Sequence, residues 1–175
     1  MSRHHAESDL GTPVVWPEGE RLAVRPLEVS DRDAFADLFH RLSPDSRFRR
    51  FHGPKPALAP REIAYLTDVD HLRHEALAAI DKRDGSIIGV SRYVARVQEP
   101  QVADLAIEVA DEMQGIGIGT LLARLIVDRA ASKGFDRVVA STLWDNQPAR
   151  ALMRRLGFRA HTSDGPVLEL HLALR

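Results

Sequence analysis

Ile107-Glu108-Val109-Ala110-Asp111-Glu112-Met113-Gln114-Gly115-Ile116-Gly117-Ile118-Gly119-Thr120 is the stretch on which the reading of this chain turns. An alternating strand runs into a short loop with glycines at every second position, and a helix starts there. The first turn of a helix leaves backbone N–H groups without partners and carries partial positive charge. Glycines at that turn remove the β-carbons that would hold a phosphate away. The stretch therefore predicts an anion site over Gln114–Thr120, suited to a diphosphate. A dinucleotide fingerprint would need Gly-x-Gly-x-x-Gly, whereas here the third glycine comes two residues on, at Gly119, and the later acidic residue is missing. A Walker loop would need a lysine, which Gly119-Thr120-Leu121 lacks. A glycine turn that binds nothing is the plain alternative.

Working outward, an apolar-faced helix follows the loop to about Lys133, with Leu121, Leu122, Leu125 and Ile126, and stops at Gly134. A strand over Arg137–Thr142, a helix over Gln147–Leu156 and a hairpin of Phe158–Thr162 with Val167–Leu174, turning at Asp164-Gly165, complete the C-terminal half. Upstream, Val102–Ala110 reads as the strand before the loop. Glu75–Asp81 and Ser86–Val97 form a hairpin about Asp84-Gly85. Pro44 and Pro60 each open a short helix, to Phe51 and Thr67. Ser30 or Asp31 caps a helix to about Leu42, and Arg21–Leu27 alternates as a first strand. Residues 1–20, polar and broken by prolines, read as a flexible tail ahead of a single domain over residues 21–175. The order predicts an α/β (α+β) fold: a mixed sheet with helices on its faces.

A second motif stands downstream. Asn146 caps a helix with Pro148 in its first turn, Ala149 and Leu152 share a face, and Gly157-Phe158 ends it. By itself this is a well-capped helix. With the glycine loop, at this order and spacing, it resembles the GNAT superfamily of N-acetyltransferases. Gln114, Gly117 and Gly119 match Gln/Arg-x-x-Gly-x-Gly/Ala, and Asn146, Ala149, Leu152, Gly157 and Phe158 match Asn-x-x-Ala-x-x-Leu…Gly-Phe. The run Asp104–Phe158, with Leu42–Phe51, looks like the catalytic domain of bacterial protein lysine acetyltransferases.

The resemblance implies a mostly antiparallel sheet of about seven strands flanked by helices. It implies acetyl-CoA as acyl donor, with no metal, and an amine acceptor, a protein lysine or a small molecule. Gln114, Gly115, Ile116, Gly117, Ile118, Gly119 and Thr120 would surround the coenzyme A pyrophosphate. Val109, Ala110 and Asp111 would pair with the pantetheine arm, Asn146 would meet it, and Arg150 or Arg154 would reach a phosphate. The N–H of Val109 or Ala110 would stabilise the oxyanion. Asp104 and Glu108 share a strand face and are the candidate bases; Asp104 stands ten residues before Gln114, where many relatives carry glutamate. Met153 occupies the position at which many carry the tyrosine that protonates the thiolate. A coenzyme A-binding module without turnover is the reading from another class.

Composition narrows the rest. The chain has 175 residues, no cysteine and a net charge of −1 from 24 basic and 25 acidic residues. Thiolate metal sites and a cysteine nucleophile are excluded, and no charge excess draws the protein to nucleic acid. No apolar run reaches membrane-spanning length, and Met1–Glu20 lacks the apolar core of a secretory signal. A cytoplasmic protein, monomeric or homodimeric, is the expectation. The basic cluster Arg47, Arg49 and Arg50 reads either as a solvated helix face or as a wall facing the acceptor.

Overall fold

The computed structural model describes residues 21–174. The expected N-terminal tail lies outside the described residues. Seven strands form one sheet in the order β1-β2-β3-β4-β5-β7-β6. They are β1 Leu22–Pro26, β2 His74–Asp81, β3 Ile87–Ala95, β4 Val102–Val109, β5 Arg137–Leu143, β6 Arg159–Asp164 and β7 Val167–Ala173. Every neighbouring pair is antiparallel except β4 with β5. Five α-helices accompany them among the described residues: α1 Arg32–His40, α2 Pro44–Phe51, α3 Pro60–Thr67, α4 Ile118–Ser132 and α5 Gln147–Arg155. The predicted elements all appear, α2 and α3 with the expected ends and the others shifted by at most two residues. At the first helix a 3-10 turn over Val29–Asp31 precedes α1, and Leu42 lies beyond its end.

The sheet is covered on both faces, as its strands require. Tyr93, Leu105 and Ala103 turn toward α4, where Leu122, Ile126 and Ala130 meet them with Phe135 and Val138. The alternate positions, Ala76, Ala78 and Val90, meet Phe35 and Leu38 of α1 and the partly buried Ile63 and Leu66 of α3. The period of two along the strands thus serves two separate cores, one per face.

One irregularity places the site. β4 and β5 pair in parallel from Val102↔Arg137 to Leu105↔Ala140 and no further. Yet β4 stays paired with β3 to Val109, and β5 stays paired with β7 to Leu143. Neither strand frays. The two halves of the sheet part between Ala106 and Ser141, leaving a wedge-shaped gap above the glycine loop.

Candidate active site

A cavity of about 1300 Å³ occupies this gap and continues under α2 and α3. On the loop side it is lined by Val109, Gln114, Gly115, Gly119 and Asn146. Gly115 and Gly117 both adopt left-handed backbone, with φ of 77° and 97°. L-side chains disfavour this region, which is the local reason for glycine at both places. The turn so formed starts α4, whose first incoming bond runs from the Leu121 N–H to the Gly117 carbonyl. The N–H groups of Ile118, Gly119 and Thr120 precede that ladder at the positive end of the helix dipole. The glycine spacing thus yields a helix start whose first three amides make no intrahelical bond.

The alternation of the ladder settles which amides face the gap. The Ala110 N–H donates to the Ile88 carbonyl at 2.9 Å, on the β3 side. By the period of two, Val109 turns its N–H the other way, toward β5. This corrects the expectation for Ala110, which is spent inside the sheet, and leaves Val109. Gln114 works differently from the expected phosphate contact. Its side-chain amide donates to the Val109 carbonyl at 3.0 Å and to Ser46 Oγ at 3.3 Å. Asp111 is outside the cavity lining, and its carboxylate accepts the Ser43 N–H at 3.0 Å. Arg41 Nε reaches Glu112 at 2.6 Å nearby. Together these contacts clamp the α1–α2 corner onto the loop.

Asn146 caps α5 as predicted, accepting the Ala149 N–H at 3.3 Å. Arg150 is turned away from the cavity; it donates to the Trp144 carbonyl at 2.8 Å and lies over the Trp144 ring at 4.8 Å. Ile116 is half exposed outside the cavity lining. Met153, where a tyrosine was the alternative, is buried and lines the cavity floor.

The two carboxylates expected to act as bases share a face, but their surroundings differ. Asp104 is half exposed and bound by Arg96 Nε at 2.9 Å. Glu108 is buried, with Arg50 Nε at 2.5 Å and Arg92 Nη2 at 3.5 Å. Burial alone would raise its pKa, yet the guanidiniums of Arg50 and Arg92 outweigh that and hold it below the ordinary glutamate range. A carboxylate so stabilised as an anion is a poor proton acceptor. Glu108 thus ties α2 to β3 through two guanidiniums, where a free carboxylate was expected.

Several lining residues escaped the sequence reading: Arg92, Arg96, Arg61, Tyr65, Ser141 and Thr142. Arg92 left one signal, a lone arginine within the buried run Ile87–Tyr93. His52 also lines the wall, in left-handed backbone with φ of 56° at the end of α2. Burial pushes its imidazole below the ordinary histidine value and Arg50 adds to this, while a hydrogen bond with the Ser141 backbone works against it. Among the described residues no group of three or more ligating side chains could hold a metal ion, and no helix is long and apolar enough to cross a membrane.

Known proteins share this arrangement. Residues 21–159 match the family model described as an acetyltransferase (GNAT) domain. Acetyltransferase PA5475 of Pseudomonas aeruginosa is 33% identical over 143 residues, covering 81% of this chain and 76% of that protein. Acetyltransferase Pat of Mycolicibacterium smegmatis is 32% identical over 146 residues, which is 83% of this chain but 43% of Pat. The crystal structure of the GNAT domain of S. lividans PAT superposes with a TM-score of 0.86 at 25% identity, covering 93% of this chain and 96% of that domain.

Proposed function

Given that the chain belongs to the GNAT acetyltransferase family, we propose that it moves the acetyl group of acetyl-CoA directly onto a primary amine in the gap between β4 and β5. The parting of these strands beside an anion-binding helix start carries the reading. The seat at residues 115–120 takes the diphosphate. The open edge of β4 takes the extended arm, which brings the thioester to the level of Val109. Residues 21–175 act as one catalytic domain in the cytoplasm, with acetyl-CoA and the amine as partners.

The chemistry needs three things from the protein. An alkylammonium with pKa of about 10.4 must lose its proton. The nitrogen lone pair then attacks the thioester carbon, a C–N bond forms, and the C–S bond breaks with its electron pair leaving on sulfur. Asp104, through water, is the proton acceptor, because Glu108 is held as an anion by two arginines. The Val109 N–H stabilises the developing oxyanion. The thiolate, with a pKa of about 8.5, collects its proton from water, since Met153 has none to give. Asp104→Asn is expected to lower kcat by roughly a hundredfold, the lower end of general-base contributions, with coenzyme A binding unchanged. An unchanged kcat would remove Asp104 from this role.

The diphosphate seat has its own test. A β-carbon on Gly119 would meet only Val109 Cγ2 at 3.8 Å and Leu152 Cδ2 at 3.9 Å, both ordinary contacts. Gly119→Ala should therefore fold at least as well as the parent, since alanine favours a helix by about 1 kcal/mol over glycine. Coenzyme A at about a hundred times its Kd should stabilise the parent by about 2.7 kcal/mol. The alanine variant should lose most of that melting shift. Gly117→Val is a poorer probe, because φ of 97° strains any side chain there whatever binds. Thiol release that needs both acetyl-CoA and an amine tests the reaction itself; none above hydrolysis, with coenzyme A still bound, would favour the non-catalytic reading.

A further inference from the structure

At one corner of the cavity wall two arginines meet a single carboxylate. Arg96 is balanced by Asp104 and Glu169, and Arg49 by Asp45. Arg50 and Arg92, however, share the single carboxylate of Glu108. Arg92 is 2% exposed. Its Nη1 donates to the Leu66 carbonyl at 2.7 Å and meets His74 Nε2 at 3.1 Å. Its Nε has no hydrogen-bond partner among the described residues, and its Nη2 has only the long contact with Glu108. Arg50 gives only Nε to Glu108, with its side chain 18% exposed toward the cavity. Two guanidiniums against one carboxylate, in a medium where charge is poorly screened, leave this corner of the wall short of one anion.

The position of this excess matters as much as its sign. Arg92 lies opposite Ala106 in the ladder, and Ala106 is the first residue of β4 past its pairing with β5. Arg50 reaches Glu108, two residues on. The charge therefore borders the part of the gap where the amine must attack, within about 7 Å along the strand.

Resting on the transfer reaction proposed above, we infer that the acceptor is a small molecule carrying a carboxylate a few bonds from its amine, an amino acid in the broad sense. Its carboxylate docks on the outward edge of Arg50, with the charge of Arg92 behind it. A lysine side chain within a protein presents no carboxylate at that distance.

Matched acceptors test this with the full chain and acetyl-CoA, by thiol release. α-, β- and γ-amino acids are compared with their primary amides and with the amines lacking the carboxyl group; an end-blocked lysine peptide stands for protein. The expected result is a kcat/KM for the acids at least about tenfold above the amides, as a charge-assisted contact supplies. That order runs against intrinsic reactivity, because the amide's amine is the less basic and is more often unprotonated at neutral pH. Arg50→Gln should abolish the preference, and Arg50→Lys should restore part of it. Should either variant melt out, the comparison on the parent protein still decides. Equal use of acids and amides, or acetylation of the blocked peptide alone, overturns the inference and leaves acetyl transfer standing. Acetylation of none of them, with coenzyme A still raising the melting temperature, overturns the transfer reaction and this inference with it.

Discussion

Glu108→Gln is expected to cost about 3–5 kcal/mol of folding free energy, the range seen when one partner of a buried ion pair is removed. The cause is what remains. Arg50 and Arg92 would face each other's charge with no carboxylate between them, one almost without exposure to water. Against the roughly 5–15 kcal/mol of total stability of an ordinary domain, that loss takes the protein close to unfolding. Urea denaturation of the parent and the variant measures it. Replacing all three side chains, Arg50→Met, Arg92→Met and Glu108→Leu, should recover most of the loss, because the desolvation penalty vanishes with the charges. A Glu108→Gln protein that folds like the parent yet is inactive would instead return Glu108 to the role of base.

The second large effect is a dependence of stability on pH centred on His74. This side chain is 8% exposed, and its ring lies tilted 5.2 Å from that of Tyr65. Burial first, then the charge of Arg92, pushes its pKa down from 6.5 to about 4; Asp70 works in the opposite direction and His71 adds slightly to the fall. The geometry agrees with the direction. Arg92 Nη1 at 3.1 Å can only donate, so His74 Nε2 must stay unprotonated to accept. Above pH 6.5 the ring is neutral in the folded and unfolded chain alike and adds no pH dependence. Between 6.5 and 4 the unfolded chain binds the proton and the folded one does not, so stability falls as pH falls. At 1.36 kcal/mol per pKa unit the total is about 3 kcal/mol, levelling off below pH 4. In His74→Gln the amide oxygen still accepts from Arg92 but cannot titrate. Denaturation midpoints at pH 7 and 4.5 should therefore differ less in the variant than in the parent. An equal difference would show that other groups set the slope.

Local signals were legible in the sequence. The glycines of 115–119 announced the turn into α4, Pro44 and Pro60 announced helix starts, and all of these stand where expected. The alternation of β4 placed Asp104 and Glu108 on one face. What that face meets was not legible. Arg50 and Glu108 are 58 residues apart in the chain, and Arg96 reaches Glu169 across 73. A carboxylate written as Glu108 reads the same whether water or two guanidiniums await it, and only the packing of α2 against β4 decides. Gln114 and Asp111 show the same limit at shorter range. Both sit in the expected loop, but one ties it to Val109 and the other to α2. The partial pairing of β4 with β5 had no signature of its own, since each strand keeps a full partner on its other side.

That partial pairing leaves bare strand backbone inside the sheet without opening it to other sheets. A flat sheet ends in two borders, here β1 and β6, and such borders invite foreign chains to add on. Where the ladder opens after Ala106 the protein gains two further borders, but each looks only at the other across a narrow cleft roofed by α2 and α3. Another protein's sheet cannot come alongside them broadside. A slender chain entering lengthwise can, so the fold keeps hydrogen-bonding groups available to one shape of visitor and closed to broad ones.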